Sequence, residues 1–188
     1  EAAFSRPLRW LVALHGEQLV PFAALGVASG GETRLLRNAD ETSARVAAAA
    51  DFEGVMSGAG IMLDMDTRRS AILKAAEDLA QSVGGVVPAG SKGDLLDEIA
   101  NLVESPTPVL GTFDPDFLDL PKEVLIMVMR KHQRYFPVED AEGKLLPYFI
   151  TVANGAIDPP TVQAGNEAVL RARYEDARFF YKNDLARP

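Results

Sequence analysis

The sequence predicts an α+β fold, with a mostly antiparallel sheet made of hairpins and with helices packed against it. Three observations support this prediction. Pairs of short apolar runs are joined by turn residues, which is typical of β-hairpins. Other stretches carry apolar residues three or four positions apart, which is typical of helices. The 188 residues are 47% hydrophobic and 24% charged, as in globular proteins and unlike disordered or fibrous chains.

The first predicted element is a hairpin near the N-terminus. Its strands are the apolar runs 8–14 and 18–25, and Gly16 lies in the turn between them. Pro21 cannot donate a backbone hydrogen bond, so it indicates an edge strand or a bulge. The glycine-containing segment Ser29–Glu32 is predicted to be a flexible loop.

Three helices are predicted in the middle of the chain. Asp51 is predicted to cap a short helix beginning at Phe52. A longer helix follows Asp64 or Asp66 and is closed by the glycines after Val83; its apolar stripe consists of Ile72, Ala76, Leu79 and Val83. Asp94 is predicted to cap a third helix over 95–104.

The second half of the chain combines strands and helices. A strand is predicted over 109–113, and a helix over 122–132 with Pro121 near its first turn. The apolar runs 135–138 and 147–152 flank a turn-forming segment and predict a second hairpin. A last helix is predicted from Gly165 to about Asp184.

The pattern predicts one α+β domain over residues 1–153. Residues 154–163, which contain two consecutive prolines, are the candidate linker. Residues 164–188 then form a helix that continues the domain or leads into the next one. Because the sequence starts with Glu1 and stops in or just after a helical pattern, we expect it to be a piece of a longer protein.

Composition excludes several kinds of site. The chain has no cysteine, which excludes a disulfide, a thiolate nucleophile and a cysteine metal site. Its two histidines, His15 and His132, are far apart in sequence, so a multi-histidine metal centre is not expected. No apolar run reaches the roughly 18 residues that would span a bilayer, so no membrane partner is predicted.

Charge is distributed unevenly along the chain, which predicts that any polyanion partner binds the C-terminal third. The net charge is −8, but residues 122–188 hold 10 of the 19 basic residues against 9 acidic ones. Cations interleaved with aromatic residues are typical of RNA-binding surfaces, although a solvated surface of mixed charge is the commoner case. The candidate RNA-binding residues are Lys131, Arg134, Tyr135, Arg173 and Lys182.

No catalytic residue is predicted. Three pairs of carboxylates, Asp64/Asp66, Asp97/Glu98 and Asp114/Asp116, could serve a metal or acid–base function, but the capping of helices and turns is the more common role of such residues. The glycines near Ser29 and Gly58 lack the sequence context of a phosphate-binding loop.

Several stretches resemble the β subunit of the bacterial-type glycyl-tRNA synthetase, in the same order and spacing. The most specific are His132-Gln-Arg-Tyr-Phe136 and Gly165-Asn-Glu-Ala-Val-Leu-Arg-Ala-Arg173. The others are residues 6–14, 95–104, 109–114, 120–126 and 176–180. The family's usual Gly-His-Arg triplet is absent from Thr33–Asn38, so no role of that histidine is carried over. Within that family, this sequence looks closest to the plant and algal organellar form, in which the α and β parts are fused.

The resemblance implies an enzyme that ligates glycine to tRNA(Gly) with ATP and Mg²⁺. The α part would hold the aminoacylation site, and the β region would bind tRNA and support an oligomeric enzyme. It also implies a fold like the editing domain of the phenylalanyl enzyme's β subunit, here without catalysis or a cofactor of its own. The expected location is a chloroplast or mitochondrion for the organellar form, and otherwise the bacterial cytoplasm. Two alternatives are a hydrolytic editing domain for mischarged tRNA and a pure scaffold that docks the α part.

Overall fold

A computed structural model describes residues 7–186 and confirms the α+β class. The chain divides into two compact units, one extending through Leu63 and the other beginning at Asp64. The prediction of one domain over residues 1–153 differs from this division. The short β segments before residue 63 pair among themselves, and the larger sheet is formed wholly by later residues.

The first unit is built from short strands and one short helix. β2 (Leu14–His15) and β3 (Gln18–Leu19) form an antiparallel hairpin around Gly16, which has a φ of 59° in the turn. This hairpin is much shorter than the predicted strands 8–14 and 18–25, because β1 and β4, which lie in those runs, pair with β5 instead. β5 pairs in parallel with β1 and antiparallel with β4, and β6 pairs antiparallel with β7. The elements are β1 Leu11–Val12, β2 Leu14–His15, β3 Gln18–Leu19, β4 Ala23–Ala24, β5 Val27–Gly30, β6 Glu32–Arg34, β7 Ser43–Arg45 and α1 Phe52–Gly58.

The prediction of a loop over Ser29–Glu32 is wrong, because Ser29 lies in β5 and Glu32 begins β6. The serine side chain explains the difference. Its hydroxyl accepts a hydrogen bond from the Phe22 backbone N–H at 3.0 Å and donates to the Val20 carbonyl at 2.7 Å. These bonds add to the strand pairing, so tertiary contacts outweigh the turn preference of the glycines.

Asp51 also acts differently from the prediction. It precedes α1, but no side-chain hydrogen bond caps that helix. Instead it ends a short 3₁₀ helix, Ala49–Asp51, and its carboxylate accepts the Ala48 N–H at 3.1 Å. The carboxylate therefore caps the turn before α1.

The second unit contains an antiparallel three-stranded sheet in the order β8-β10-β9. Its strands are β8 Pro106–Thr112, β9 Phe136–Glu139 and β10 Leu145–Asn154, so the second predicted hairpin is confirmed. The helices of this unit are α2 Met65–Ser82, α3 Asp94–Leu102, α4 Lys122–Met127, a π-helix over Val128–Gln133, and α5 Pro159–Leu185.

The second predicted helix is confirmed at both ends. The Asp64 carboxylate accepts the Thr67 N–H at 2.7 Å, as an N-cap does. Gly84, with a φ of 77°, follows the last turn. The third helix begins one residue earlier than predicted. Asp94 is the first residue of the helix, and Gly93 occupies the N-cap position that was predicted for Asp94.

Consecutive residues of β10 contribute to two different buried clusters. Ile150 packs with residues of α2 and α3, which include Ile72 and Ile99. Phe149 packs with residues around α4 and α5, which include Leu125 and Leu170. Since successive strand residues point to opposite faces, helices cover both faces of this sheet.

α5 begins earlier than predicted, and this shortens the candidate linker 154–163. Asn154 ends β10, and the Asp158 carboxylate caps α5 by accepting the Thr161 N–H at 3.1 Å. Proline is compatible with the first turn of a helix, so Pro159 and Pro160 begin α5 instead of excluding it. Leu170 and Tyr174 are buried in the second unit, so the helix belongs to that unit.

Candidate nucleic-acid interface

A groove of about 730 Å³ lies in the second unit between α3 and the segment formed by α4 and the π-helix. Leu95, Ile126 and Met127 provide its apolar lining. Its charged residues are Asp94, Glu98, Lys122, Glu123, Arg130, Lys131 and Arg134. The volume lies within the roughly 300–1,000 Å³ typical of ligand pockets. Two predicted site residues, Lys131 and Arg134, are therefore brought together in one concavity.

Arg134 occupies an unusual backbone position at the end of the π-helix. It has left-handed dihedral angles, φ 55° and ψ 44°. Its Nε lies 3.3 Å from Oε2 of Glu98 on α3, and its Nη1 donates to the Lys131 carbonyl at 3.2 Å. Both paired side chains remain about half exposed, at 45% and 55%. The guanidinium therefore lies at the groove with one carboxylate partner and access to solvent.

The other cations of the groove differ in their partners. Lys122 forms an ion pair with Glu139 at 2.8 Å and donates to the Gly143 carbonyl. The exposed ammonium of Lys131 has no side-chain hydrogen bond or ion pair with any residue the structure describes. Arg130 is likewise without an ion pair over residues 7–186. A new anion therefore competes least with existing contacts at Arg130 and Lys131.

The prediction that Tyr135 contacts RNA is wrong, because this residue belongs to the core. Its exposed fraction is 3%, and its ring stacks on Phe149 with centroids 4.7 Å apart. Its hydroxyl donates to the Asn166 side-chain oxygen. An aromatic residue next to basic residues suggested a stacking surface, but the strand that follows Arg134 directs this ring inward.

Arg173 and Lys182 lie on α5 and do not line the groove. Both are exposed, and neither has an ion pair within the described part of the chain. Nearby, Phe179 and Phe180 are each 63% exposed and contact each other edge to face, with centroids 5.6 Å apart. Phe179 and Phe180 are not among the predicted RNA-binding residues, although their position beside Arg178 and Lys182 could have indicated them.

Burial makes two tyrosines harder to ionise. Burial raises the pKa of Tyr135 to about 12, and it also raises the pKa of Tyr174 far above its ordinary value. Tyr174 donates to the Leu125 carbonyl at 3.3 Å and packs against Phe113 and Phe117. Neither phenol is therefore poised for proton transfer near neutral pH.

Glu167 joins α5 to the edge of the sheet. Its carboxylate accepts the Thr112 N–H at 2.9 Å, the Thr112 hydroxyl at 3.0 Å and the Gln163 amide at 2.8 Å. Partial burial opposes ionisation, but these hydrogen bonds and the charge of Arg171 outweigh it and lower the pKa of Glu167. Its role in the fold is thus structural.

Among residues 7–186, no group of three or more acidic or histidine side chains is arranged to hold a metal ion. Over the same residues, no helix is both long and apolar enough to cross a bilayer. The groove itself is lined by four basic residues, three acidic residues and three apolar residues.

The chain belongs to the glycyl-tRNA synthetase β subunit family, since the model of that family matches residues 1–188. It is 51% identical to the chloroplastic/mitochondrial glycine–tRNA ligase 2 of Arabidopsis thaliana over 183 residues, which cover 96% of this chain and 17% of that protein. It is 45% identical to the glycine–tRNA ligase β subunit of Desulfitobacterium hafniense strain Y51 over 189 residues, covering 100% of this chain and 27% of that subunit.

A third relative extends the similarity to another bacterium. The β subunit from Nitratidesulfovibrio vulgaris strain Hildenborough is 48% identical over 185 residues, which cover 97% of this chain and 26% of that subunit. The chain thus spans about a sixth to a quarter of the length of these relatives. The predicted resemblance to the family is confirmed.

Proposed function

We propose that this chain is the tRNA-binding and architectural part of a glycine–tRNA ligase β region. The observation that carries the proposal is the placement of Lys131 and Arg134 at one solvent-accessible groove. Their charges would bind phosphates of tRNA(Gly), because lysine and arginine supply most phosphate contacts in RNA recognition. Arg173 and Lys182 on α5 are a second candidate contact region.

Under this proposal, the aminoacylation reaction takes place in a part of the enzyme outside this chain. An α subunit, or an α region of the same polypeptide, would bind ATP, Mg²⁺ and glycine and form the ester with tRNA. The relatives' names support either a chloroplast or mitochondrion, or a bacterial cytoplasm, as the location. An oligomeric whole enzyme belongs to the same proposal.

A finer structural proposal is that the region shares the fold of the editing domain found in the phenylalanyl enzyme's β subunit. The sequence resemblance and the α+β architecture support it. Deacylation of Ala-tRNA(Gly) tests whether hydrolysis accompanies that fold. We expect the complete enzyme to show no hydrolysis that depends on residues of this region, and dependence on one of them would favour the editing alternative.

The test of tRNA binding uses the complete enzyme and charge-removing variants of the groove. Lys131→Gln and Arg134→Gln are expected to weaken tRNA(Gly) binding at low salt. Each is expected to reduce the slope of log affinity against log salt concentration by about one. Lys74→Gln is the matched control, since it removes the same charge from an exposed position on α2, outside the groove.

The outcome distinguishes a specific contact from a general effect of net charge. A larger loss with the groove variants than with Lys74→Gln supports the proposal. Equal losses, or unchanged affinity at low salt, would remove the groove from the tRNA-binding surface. Co-purification of the α part with each variant then tests the scaffold alternative.

A further inference from the structure

The backbone on both sides of Arg134 fixes the point from which its side chain starts. The Arg134 N–H donates to the Arg130 carbonyl at 3.3 Å, and the Tyr135 N–H donates to the Met129 carbonyl at 3.0 Å. Tyr135 and Phe136, which follow directly, are buried in the core. A left-handed conformation between a π-helix and a buried strand has little freedom to relax. The fold therefore fixes the Arg134 backbone beside the groove.

In this position the guanidinium of Arg134 faces a carboxylate instead of an open site. Glu98 on α3 provides the carboxylate, with the two side chains 3.3 Å apart. Asp94 and Glu123 also line the groove, yet within the described residues neither of them forms an ion pair. Glu98 is thus distinguished from its acidic neighbours by a direct contact with a candidate RNA-binding cation.

The ion pair between Arg134 and Glu98 can be replaced readily by a contact between Arg134 and a phosphate. Ion pairs between side chains as exposed as these contribute little to stability, because water screens both charges. A phosphate, like a carboxylate, can accept two parallel hydrogen bonds from a guanidinium, so it can take the place of Glu98 without loss of hydrogen bonds at Arg134. An incoming phosphate can therefore replace Glu98 at Arg134, at the modest cost of breaking the existing pair.

We propose that Glu98 is a specificity-determining residue for RNA binding, because it occupies Arg134 until a phosphate replaces it. The proposal rests on the function proposed above. The carboxylate repels any polyanion that approaches the groove without placing a phosphate on the guanidinium. RNA that places a phosphate on the guanidinium regains the contact with Arg134 and so offsets this cost, whereas a polyanion with no group at that position bears the full repulsion. Glu98 thus lowers the affinity for all polyanions and increases the discrimination between them.

The experiment measures equilibrium binding of tRNA(Gly) and of heparin, a polyanion without bases, to the complete enzyme. Glu98→Gln is expected to tighten tRNA(Gly) binding by about two- to fivefold, the range that corresponds to an exposed ion pair. Heparin binding is expected to tighten by a larger factor than tRNA(Gly) binding, so that discrimination decreases; equal factors would contradict a role in specificity. Glu123→Gln is the matched control, because it removes the same charge from the same groove without breaking an ion pair.

A second background shows whether Glu98 acts through Arg134. If it does, Glu98→Gln tightens tRNA(Gly) binding when Arg134 is present. When Arg134 is replaced by glutamine, Glu98→Gln changes tRNA(Gly) binding no more than the control Glu123→Gln does. An equal gain in both backgrounds, or no gain over the control in the wild type, overturns the inference. If Arg134→Gln alone leaves tRNA affinity unchanged, the proposed function of this arginine fails, and the inference fails with it. A loss with Arg134→Gln but no gain with Glu98→Gln overturns the inference alone.

Discussion

Replacing Tyr135 with phenylalanine separates a core role from a role in RNA binding. The substitution retains the ring that stacks on Phe149 and removes only the hydroxyl, which donates to Asn166. The Asn166 amide still donates to the Val162 carbonyl at 2.7 Å, so the helix on that side keeps its contact. The change therefore tests one hydrogen bond with little disturbance of packing.

We expect Tyr135→Phe to lower the free energy of unfolding by about 1 kcal/mol, the usual net contribution of one hydrogen bond. With a urea m-value of roughly 2 kcal/mol/M, this corresponds to a decrease of about 0.5 M in the unfolding midpoint. Tyr148→Phe is a suitable control, because the Tyr148 hydroxyl has no hydrogen-bond partner among residues 7–186. We expect the control to change the midpoint much less.

The same substitution removes a dependence of the free energy of unfolding on pH. Burial raises the pKa of Tyr135 to about 12, whereas an unfolded tyrosine ionises near pH 10. Stability from this group is therefore fully present below pH 10 and decreases as pH rises from about 10 to 12. The advantage of about 1 kcal/mol that wild type has over Tyr135→Phe should thus shrink above pH 10 and reverse before pH 12, because a pKa difference of two units corresponds to more than that advantage.

Urea unfolding at pH 7 and at pH 10–12, together with tRNA(Gly) binding, provides the assay. We expect reduced stability at pH 7 and tRNA affinity equal to that of the wild type. Weaker tRNA binding without a loss of stability would refute the assignment of Tyr135 to the core.

Three further substitutions test the second unit, each by denaturant unfolding. Gly111→Ala should lower the free energy of unfolding by about 1–3 kcal/mol, because the new Cβ would lie 2.3 Å from Cζ of Phe149. Gly58→Ala is the control, since a Cβ at Gly58 would meet open space and cause no such clash. Asp158→Ala should cost about 1 kcal/mol by removing the α5 cap, and Asp158→Asn should restore most of it; equal losses would contradict the capping role. Glu167→Gln should cost about 1 kcal/mol at pH 7 and progressively less as the pH falls through the lowered pKa of the wild-type carboxyl; a difference independent of pH would show that ionisation is irrelevant.

Elements with strong periodicity and a clear end signal were predictable from the sequence. α2 has an apolar stripe, an aspartate cap and closing glycines, and the structure places all three as expected. The hairpin of β9 and β10 combines apolar runs with a turn, and its pairing is confirmed. In both cases local preference and tertiary packing favour the same conformation.

The predictions failed where long-range contacts decide the conformation. Ser29 lies in a strand because its hydroxyl binds backbone groups seven and nine residues away, which a local turn preference does not capture. The π-helix and the left-handed Arg134 leave no local signal, yet they separate an exposed arginine from a buried tyrosine at adjacent positions. Charge identified Lys131 and Arg134 as candidates, whereas the Glu98 partner depends on the packing of α3 beside the π-helix.

The central claim is that this region binds tRNA while the aminoacylation chemistry takes place elsewhere in the enzyme. The most direct measurement compares steady-state glycylation of tRNA(Gly) with ATP–pyrophosphate exchange in the complete enzyme carrying Lys131→Gln and Arg134→Gln. We expect a higher KM for tRNA, an unchanged kcat and unchanged exchange, because only binding of the RNA is weakened. Loss of exchange by the folded variant, with the KM for tRNA unaltered, would contradict the claim.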